Sequence, residues 1–411
     1  MQTNLADWIR DTPQGIEADA ILRKCVHCGF CLATCPTYGL LGDELDSPRG
    51  RIYLMKQVLE GAPVTERTQT HLDRCLTCRA CETTCPSGVQ YGRLVDIGRE
   101  VIEAKVGRGP LETLRRGLLR RALLSPSLFG AMLGLGRAFR ALLPGALARK
   151  VPEKRDAGTW PSAQRPRRML VLQGCVQRSI APSINAATAR VLDRLGIALV
   201  AAPESGCCGA VSHHLDAHEE ALGYVRANID AWWPHVEAGA EALVITASGC
   251  GTMVADYGHL LRNDPAYAER AARISALAKD VSEVVAAEKS ALANAFAGRK
   301  QRGEKLAFHS PCSLQHGLKI RGLVEDILRD AGFTLTAVPD AHLCCGSAGT
   351  YSVLQPVLSQ QLLRNKVAAL ESGGPEVIAT ANIGCMTHIA SGSSRPVRHW
   401  IEILDARLGQ P

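Results

Sequence analysis

The apolar positions of this chain change rhythm along its length. In the first quarter they recur at helical spacing; beyond residue 169 they gather into short unbroken runs that alternate with helical stretches. Ser47-Pro48 reads as a helix start, with serine as N-cap and proline at the first helical position. Ile52, Met55 and Leu59 then share one face, and Gly61 sits where a helix-ending glycine belongs. A second helix is predicted from about Tyr91 to Lys105, with Leu94, Ile97 and Val101 on one face and Gly107 after it.

From residue 169 the pattern repeats. Met169–Leu172 reads as a buried strand, Ile184, Ala187, Val191 and Leu195 mark a helix closed by Gly196, and Ile197–Ala201 is the next strand. A third strand, Ala242–Ala247, runs into Cys250. The second copy has strands at Lys305–His309, Thr334–Val338 and Val377–Thr380, with a helix ending at Ala331-Gly332. Strands that alternate with helices imply parallel sheets. The cysteines keep the same register. Cys175 precedes the Cys207-Cys208-Gly209 triplet by 32 positions, as Cys312 precedes Cys344-Cys345-Gly346. The copies are offset by 137, 137 and 135 residues at the first cysteine, the pair, and Cys250 or Cys385. All these cysteines follow the carboxyl ends of predicted strands, where open α/β sheets place ligands.

The expected fold class is therefore α+β multidomain: a helical N-terminal module, then two tandem α/β domains with parallel sheets. The expected boundaries are residues 1–104 for the helical module, 105–168 for a basic amphipathic segment and linker, and 169–300 and 301–411 for the two repeats.

Charge changes the picture only in the second region. The net charge is +7, yet Lys105 to Arg155 carries twelve basic residues against Glu112 and Glu153, or +10, which leaves −3 for the rest. Leu111, Leu114, Leu118, Leu119 and Leu123 interleave with Arg115, Arg116, Arg120 and Arg121. Such a helix suits an anionic membrane surface, and equally a solvated charged face or an acidic partner. Arg149 and Lys150 belong to the same basic run. Nucleic acid is not expected as a partner, because the chain is aromatic-poor and has no reading motif. The most apolar stretch, Ala122–Gly136, is short and broken by Ser125, Pro126 and Ser127, so no membrane-crossing helix is expected. Met1–Arg10 contains acidic Asp7 and no apolar core of a signal peptide, which points to the cytoplasm.

The 16 cysteines then mean metal or redox sites rather than a disulfide framework. C-x2-C-x2-C-x3-C-P occurs twice, at Cys25-Cys28-Cys31-Cys35-Pro36 and Cys75-Cys78-Cys81-Cys85-Pro86. Structural zinc uses pairs of C-x2-C, whereas two runs of four before proline suit two 4Fe–4S clusters. In two-cluster ferredoxins the fourth cysteine of each run serves the other cluster. By that rule Cys25, Cys28, Cys31 and Cys85 hold one cluster and Cys75, Cys78, Cys81 and Cys35 the other. His27, inside the first run, is expected to stay a non-ligand. Gly134-Leu-Gly136 opens no dinucleotide fingerprint, so no flavin or hydride transfer is expected on this chain, and no catalytic residue is assigned.

The repeats resemble the CCG domain of the heterodisulfide reductase catalytic subunit family, in which each domain carries a further downstream C-x-x-C. Here the downstream residues are Cys250-Gly-Thr-Met253 and Cys385-Met-Thr-His388, so the last cysteine is absent from both copies. Cys175, Cys207, Cys208, Cys250, Cys312, Cys344, Cys345 and Cys385 remain candidates for a further iron–sulfur cluster, against buried thiols or a redox disulfide. His388 is either a ligand or a structural residue; His213, His214, His309 and His316 are expected at the surface or in hydrogen bonds.

Taken together, the double cysteine run, the Ser47-Pro-Arg-Gly-Arg-Ile52 segment and two CCG repeats resemble the iron–sulfur subunit family of bacterial glycolate oxidase. The resemblance spans nearly the whole chain. It implies a complex with two FAD-binding subunits that oxidise glycolate to glyoxylate, more slowly D-lactate, with electrons leaving through this chain toward a membrane quinone. It also implies peripheral association with the inner membrane. Iron–sulfur subunits of glycerol-3-phosphate dehydrogenase and lactate-utilisation systems look similar. Two other readings remain: a reductase acting at the CCG sites, and a scaffold that recruits partners through the basic segment.

Overall fold

The computed structural model describes residues 1–145, 151–297 and 303–409. Arg149, Lys150 and the expected junction at 300/301 lie outside them. The chain forms two compact units. One comprises Met1–Gly117 with His342–Lys366, the other Leu118–Ala341 with Val367–Pro411.

The first unit is helical. Ser47 Oγ accepts from Gly50 N at 3.0 Å and starts the helix Pro48–Leu59, which buries Ile52, Met55, Val58 and Leu59. Each such side chain contributes roughly 1.5–3 kcal/mol over its exposed state. Its neighbour Tyr91–Val106 buries Leu94, Val95, Ile97, Val101 and Ile102, and ends at Gly107. The two approach closely because position 98 is glycine; a Cβ there would overlap the Met55 side chain. The late segment is anchored in this unit by Tyr351 Oη, which donates to Arg74 O at 3.1 Å, and by Val353 O, which accepts from Arg115 at 2.6 Å.

The second unit holds two four-stranded sheets, all parallel. The first contains β1 (Arg167–Val171), β2 (Ile197–Ala201), β3 (Leu243–Ile245) and β4 (Ala278–Asp280) in the order β2-β1-β3-β4. The second contains β5 (Lys305–His309), β6 (Thr334–Leu335), β7 (Val377–Thr380) and β8 (Val397–His399) in the order β6-β5-β7-β8. The repeat, the parallel pairing and the α+β class are as expected. Two differences have physical reasons. β4 and β8 carry a lysine and an arginine at their centres, so neither shows an apolar run. β6 is shorter than predicted: its ladder ends at Leu335, although Thr336 N still donates to Leu306 O at 2.8 Å.

Both sheets reverse direction of build between β1 and β3 and between β5 and β7, and each reversal opens a crevice beyond the strand ends. Cys175 and Cys250 follow the first pair of strands; Cys312 and Cys385 follow the second. The sheets are joined within this unit. Ser248 Oγ and Ser313 Oγ share a 2.8 Å hydrogen bond, and a ring nitrogen of His399 lies 2.9 Å from Thr246 O.

His399 is fully buried, and burial lowers its pKa to about 4 despite Glu402 and the backbone carbonyls. The unfolded chain binds a proton near pH 6.5, the folded chain only near 4, so stability falls as pH drops through that window, by up to about 3 kcal/mol. Asp280 shifts the opposite way, to about 6, through burial. It is common to wild type and variant, so urea unfolding of both isolates the histidine. His399→Gln is expected to flatten the loss of stability between pH 6.5 and 4; an unchanged difference between the two pH values would remove His399 as its source.

Among the described residues no single helix is long and apolar enough to cross a membrane.

Candidate functional site

The two cysteine runs fold into matching loops. Cys25 caps the helix Pro13–Lys24, and Cys75 follows Glu66–Asp73. After each, the second and fourth residues adopt left-handed backbone: His27 and Gly29 in one run, Thr77 and Arg79 in the other. Thr77 is β-branched, and such a residue at φ 52° is strained. Both runs tolerate this turn because it folds three successive cysteines around one point. Cys35 and Pro36 start a short helix, Pro36–Leu41, whereas Cys85-Pro86 enters a turn.

Two hollows result. One, of about 430 Å³, is lined by Cys25, Cys28, Cys31 and Cys85, with Cys81 also on its wall. The other, of about 310 Å³, is lined by Cys35, Cys75, Cys78 and Cys81. Pro48, Cys81 and Tyr91 belong to both walls. Each hollow therefore gathers three sulfurs from one run and the fourth from the other. Burial pushes the Cys31 thiol up to about 11 and raises Cys25 and Cys81 as well. Such groups stay protonated at neutral pH unless a cation takes the proton's place, and bound metal does this. The soft donor set and the two hollows fit iron–sulfur clusters.

Polar partners surround the second hollow. Tyr91 Oη donates to Cys75 Sγ at 3.6 Å, and Thr77 N lies 3.4 Å from the same sulfur. Thr37 Oγ1 is 3.3 Å from Cys35 Sγ. Arg51, 1% exposed, donates to His71 O at 2.7 Å and Thr37 Oγ1 at 3.1 Å, and its Nη1 is 4.0 Å from Cys35 Sγ. The buried Asp46 carboxylate receives Arg51 at 3.2 Å and Arg74 at 2.9 Å, and lies 3.1 Å from His71 Nδ1. In the sequence, Ser47-Pro-Arg-Gly-Arg-Ile52 signals only a helix start and a family resemblance. A lone arginine on an otherwise apolar helix face was the available signal for Arg51.

In the second unit the first repeat brings all four of its cysteines together. Their thiols interact in sequence, Cys175 with Cys207, Cys207 with Cys208, and Cys208 with Cys250. Cys207 and burial both raise the Cys175 thiol. Cys175 lowers Cys207 and Cys207 lowers Cys208, but the next thiol in the chain and burial outweigh this and push both up. The loop is braced from behind. Asn228 Nδ2 donates to Cys207 O at 2.7 Å, Asn228 Oδ1 accepts from Gly206 N at 2.8 Å, and Tyr257 Oη donates to Cys208 O at 2.9 Å. Neither brace was visible in the sequence, since each reaches the loop from a distant helix.

In the second repeat Cys344 and Cys345 are buried in the first unit, while the buried Cys385 and half-buried Cys312 belong to the second. The Gly346 N to Cys344 Sγ contact, 3.4 Å, reproduces that of Gly209 N to Cys207 Sγ, also 3.4 Å. His388 sits one helical turn after Cys385 and is half-buried. His27 and His214 are exposed, and His213 Nδ1 is 3.3 Å from His218 Nδ1. His309 and His316 are not at the surface: β5 ends inside the unit, so both are buried, and a His309 ring nitrogen lies within 4.8 Å of Cys385 Sγ.

The chain matches two known families, the 4Fe-4S dicluster domain over residues 21–89 and the cysteine-rich CCG domain over residues 169–255 and 306–390. It is 56% identical to the glycolate oxidase iron-sulfur subunit of Escherichia coli (strain K12), over 99% of each chain. It is 32% identical to the probable glycolate oxidase iron-sulfur subunit of Bacillus subtilis (strain 168), over 91% of this chain and 89% of the relative. The lactate utilization protein A of an Exiguobacterium species is 28% identical, over 57% of this chain and 96% of its own length.

Proposed function

The chain belongs to the family of glycolate oxidase iron–sulfur subunits, and on that premise we propose that it carries electrons out of a flavin-bearing oxidase complex. In this reading two FAD-binding partner subunits oxidise glycolate to glyoxylate, with D-lactate a slower substrate, and this chain accepts the electrons and passes them toward a membrane quinone. Cys25, Cys28, Cys31 and Cys85 would hold one 4Fe–4S cluster, and Cys75, Cys78, Cys81 and Cys35 the other. Such clusters, when bound, supply sites that take up and release one electron at a time.

The observation that carries the reading is the pair of hollows with three-plus-one cysteine sets and a shared wall at Cys81 and Tyr91. The remaining residues serve that arrangement. Cys28 is exposed beside Val26 and Phe30, so this edge of the first hollow is open to a partner. Leu76 and Tyr91, both buried, line the second hollow. The linked thiols of Cys175, Cys207, Cys208 and Cys250 are proposed as a further redox site for onward transfer; the second repeat's cysteines share that assignment by register alone.

The test uses the assembled complex. Anaerobic glycolate is expected to give EPR signals of reduced clusters within turnover, and glycerol 3-phosphate is expected to give none. Clusters that stay oxidised with glycolate during turnover would end the relay reading, and reduction by glycerol 3-phosphate instead would reassign the partner dehydrogenase.

We also propose that residues 110–142 rest on the anionic, cytoplasmic surface of the inner membrane. The helix Pro126–Ala138 buries none of its residues, and Leu111, Leu114, Leu118, Leu128, Met132, Leu135, Phe139 and Leu142 are all exposed. Apolar side chains flanked by arginines suit such an interface. Not every arginine takes part: Arg116 is buried against Glu112 and Asp73, and Arg120 pairs with Glu220 at 2.7 Å. The chain is expected to float with phosphatidylglycerol vesicles, and Leu135→Ser with Phe139→Ser to lose at least about tenfold in vesicle affinity, as transfer of two large apolar side chains implies. Absence of wild-type flotation would assign this face to a partner subunit instead.

A further inference from the structure

The two hollows differ in the charge built around them. The wall of the second includes Arg51, whose guanidinium is buried and held by His71 O, Thr37 and Asp46. Asp46 is shared with Arg74, so two guanidinium groups face one carboxylate, with His71 against it as well. Arg99 adds a third cation behind the same loop, donating to Cys75 O and Leu72 O at 2.8 Å and to Thr77 Oγ1 at 3.0 Å. Arg79 also lines this hollow, and both it and Glu82 lie against Gly92. The first hollow has Arg49 on its wall, but Arg49 is partly exposed and paired with Glu44 at 2.6 Å. That pair is neutral in sum and screened by solvent.

A guanidinium stays protonated in proteins, and Asp46 at 3.2 Å holds this one, so Arg51 is a permanent cation in the wall of the second hollow. Adding an electron to a cluster adds negative charge. A fixed cation in a low-dielectric wall stabilises that state more than a solvated, paired one does. Hydrogen bonds to cluster sulfurs act in the same direction, and the second hollow has them from Tyr91 and Thr37.

We propose that Arg51 makes the site of Cys35, Cys75, Cys78 and Cys81 the more easily reduced of the two. Electrons arriving at the exposed Cys28 edge then run downhill past Cys81 and Tyr91 and collect against Arg51. The proposal rests on the crossed ligand sets proposed above. Arg51 is a positioning residue: it acts on the potential of the site and on no bond.

EPR-monitored redox titration of the purified full chain tests it. Two unequal midpoints are expected. Cys35→Ser should remove the higher one and leave the lower. Arg51→Met should move the higher midpoint to more negative potential with the lower unmoved, and Arg51→Lys should restore most of the shift. Where Arg51→Met alone loses iron because Asp46 is left with less compensation, Arg51→Met with Asp46→Asn takes its place. A higher midpoint that survives Cys35→Ser in a chain whose spectrum matches that of Cys75→Ser overturns the proposal whatever the arginine variants do. So does a higher midpoint unmoved in an arginine variant that keeps both clusters. A Cys35→Ser chain whose reduced EPR spectrum matches that of Cys25→Ser rather than Cys75→Ser would instead sink the crossed ligation itself.

Discussion

Replacing Cys85 by serine is expected to empty the site lined by Cys25, Cys28 and Cys31, although Cys85 stands 54 positions beyond the last of them. Iron should fall by about four atoms per chain, the content of one 4Fe–4S cluster. The EPR spectrum of the reduced Cys85→Ser chain should superimpose on that of Cys25→Ser. Cys35→Ser should likewise match Cys75→Ser. The prediction follows from the walls: Cys85 lines only the first hollow and Cys35 only the second. If each run instead served its own cluster, Cys85→Ser would match Cys75→Ser, and the spectra separate the two cases without any appeal to activity. The effect is expected to be large because a cluster with three thiolates and a hydroxyl loses much of its affinity, and because metal binding here is also folding free energy. Thr77 and Arg79 hold strained backbone in the loop that a cluster would organise.

Much of this site was legible because thiol chemistry is written locally. A run of four cysteines at fixed spacing carries its meaning within eleven residues, and Ser47-Pro48 announces its helix within three. The two repeats were legible for a different reason: their central strands are buried along most of their length, so Lys305–His309 and Val377–Thr380 show as largely apolar runs. What escaped was everything settled by contacts across the sequence. Asn228 and Tyr257 meet the CCG loop only after the chain has folded, and neither residue type signals that role. Asp46, Arg51, His71 and Arg74 are spread over three elements; as separate residues each reads as surface charge. The grouping of His342–Lys366 with the first unit has the same origin, since Tyr351 finds its acceptor at Arg74. The burial of His309 was missed because a histidine ending a strand looks like a polar terminus rather than a residue pointing into the core.

The glycines of the two CCG triplets provide a sharper comparison than the cysteines, because their environments differ while their sequence does not. Gly209 and Gly346 both adopt left-handed backbone, at φ 92° and 89°. Alanine at either position meets that conformational cost, about 1–2 kcal/mol. At Gly209 the nearest atoms to an added Cβ are Ala221 O at 3.1 Å and the flexible Met253 methyl at 3.3 Å, which can give way. At Gly346 they are Ser359 O at 2.7 Å and Leu362 Cβ at 2.9 Å. Both belong to the helix Pro356–Glu371, so relief requires moving a helix rather than a side chain. Ser359 Oγ also donates to Gly346 O at 2.8 Å, and that bond would be lost as the helix retreats. Gly346→Ala is therefore expected to cost about 3 kcal/mol or more, and Gly209→Ala about 1–2 kcal/mol. Thermal unfolding of the two full-length variants should show the larger fall in Tm for Gly346→Ala. An equal fall in both would mean that backbone conformation alone sets the cost, and that the contact with Ser359 relaxes freely.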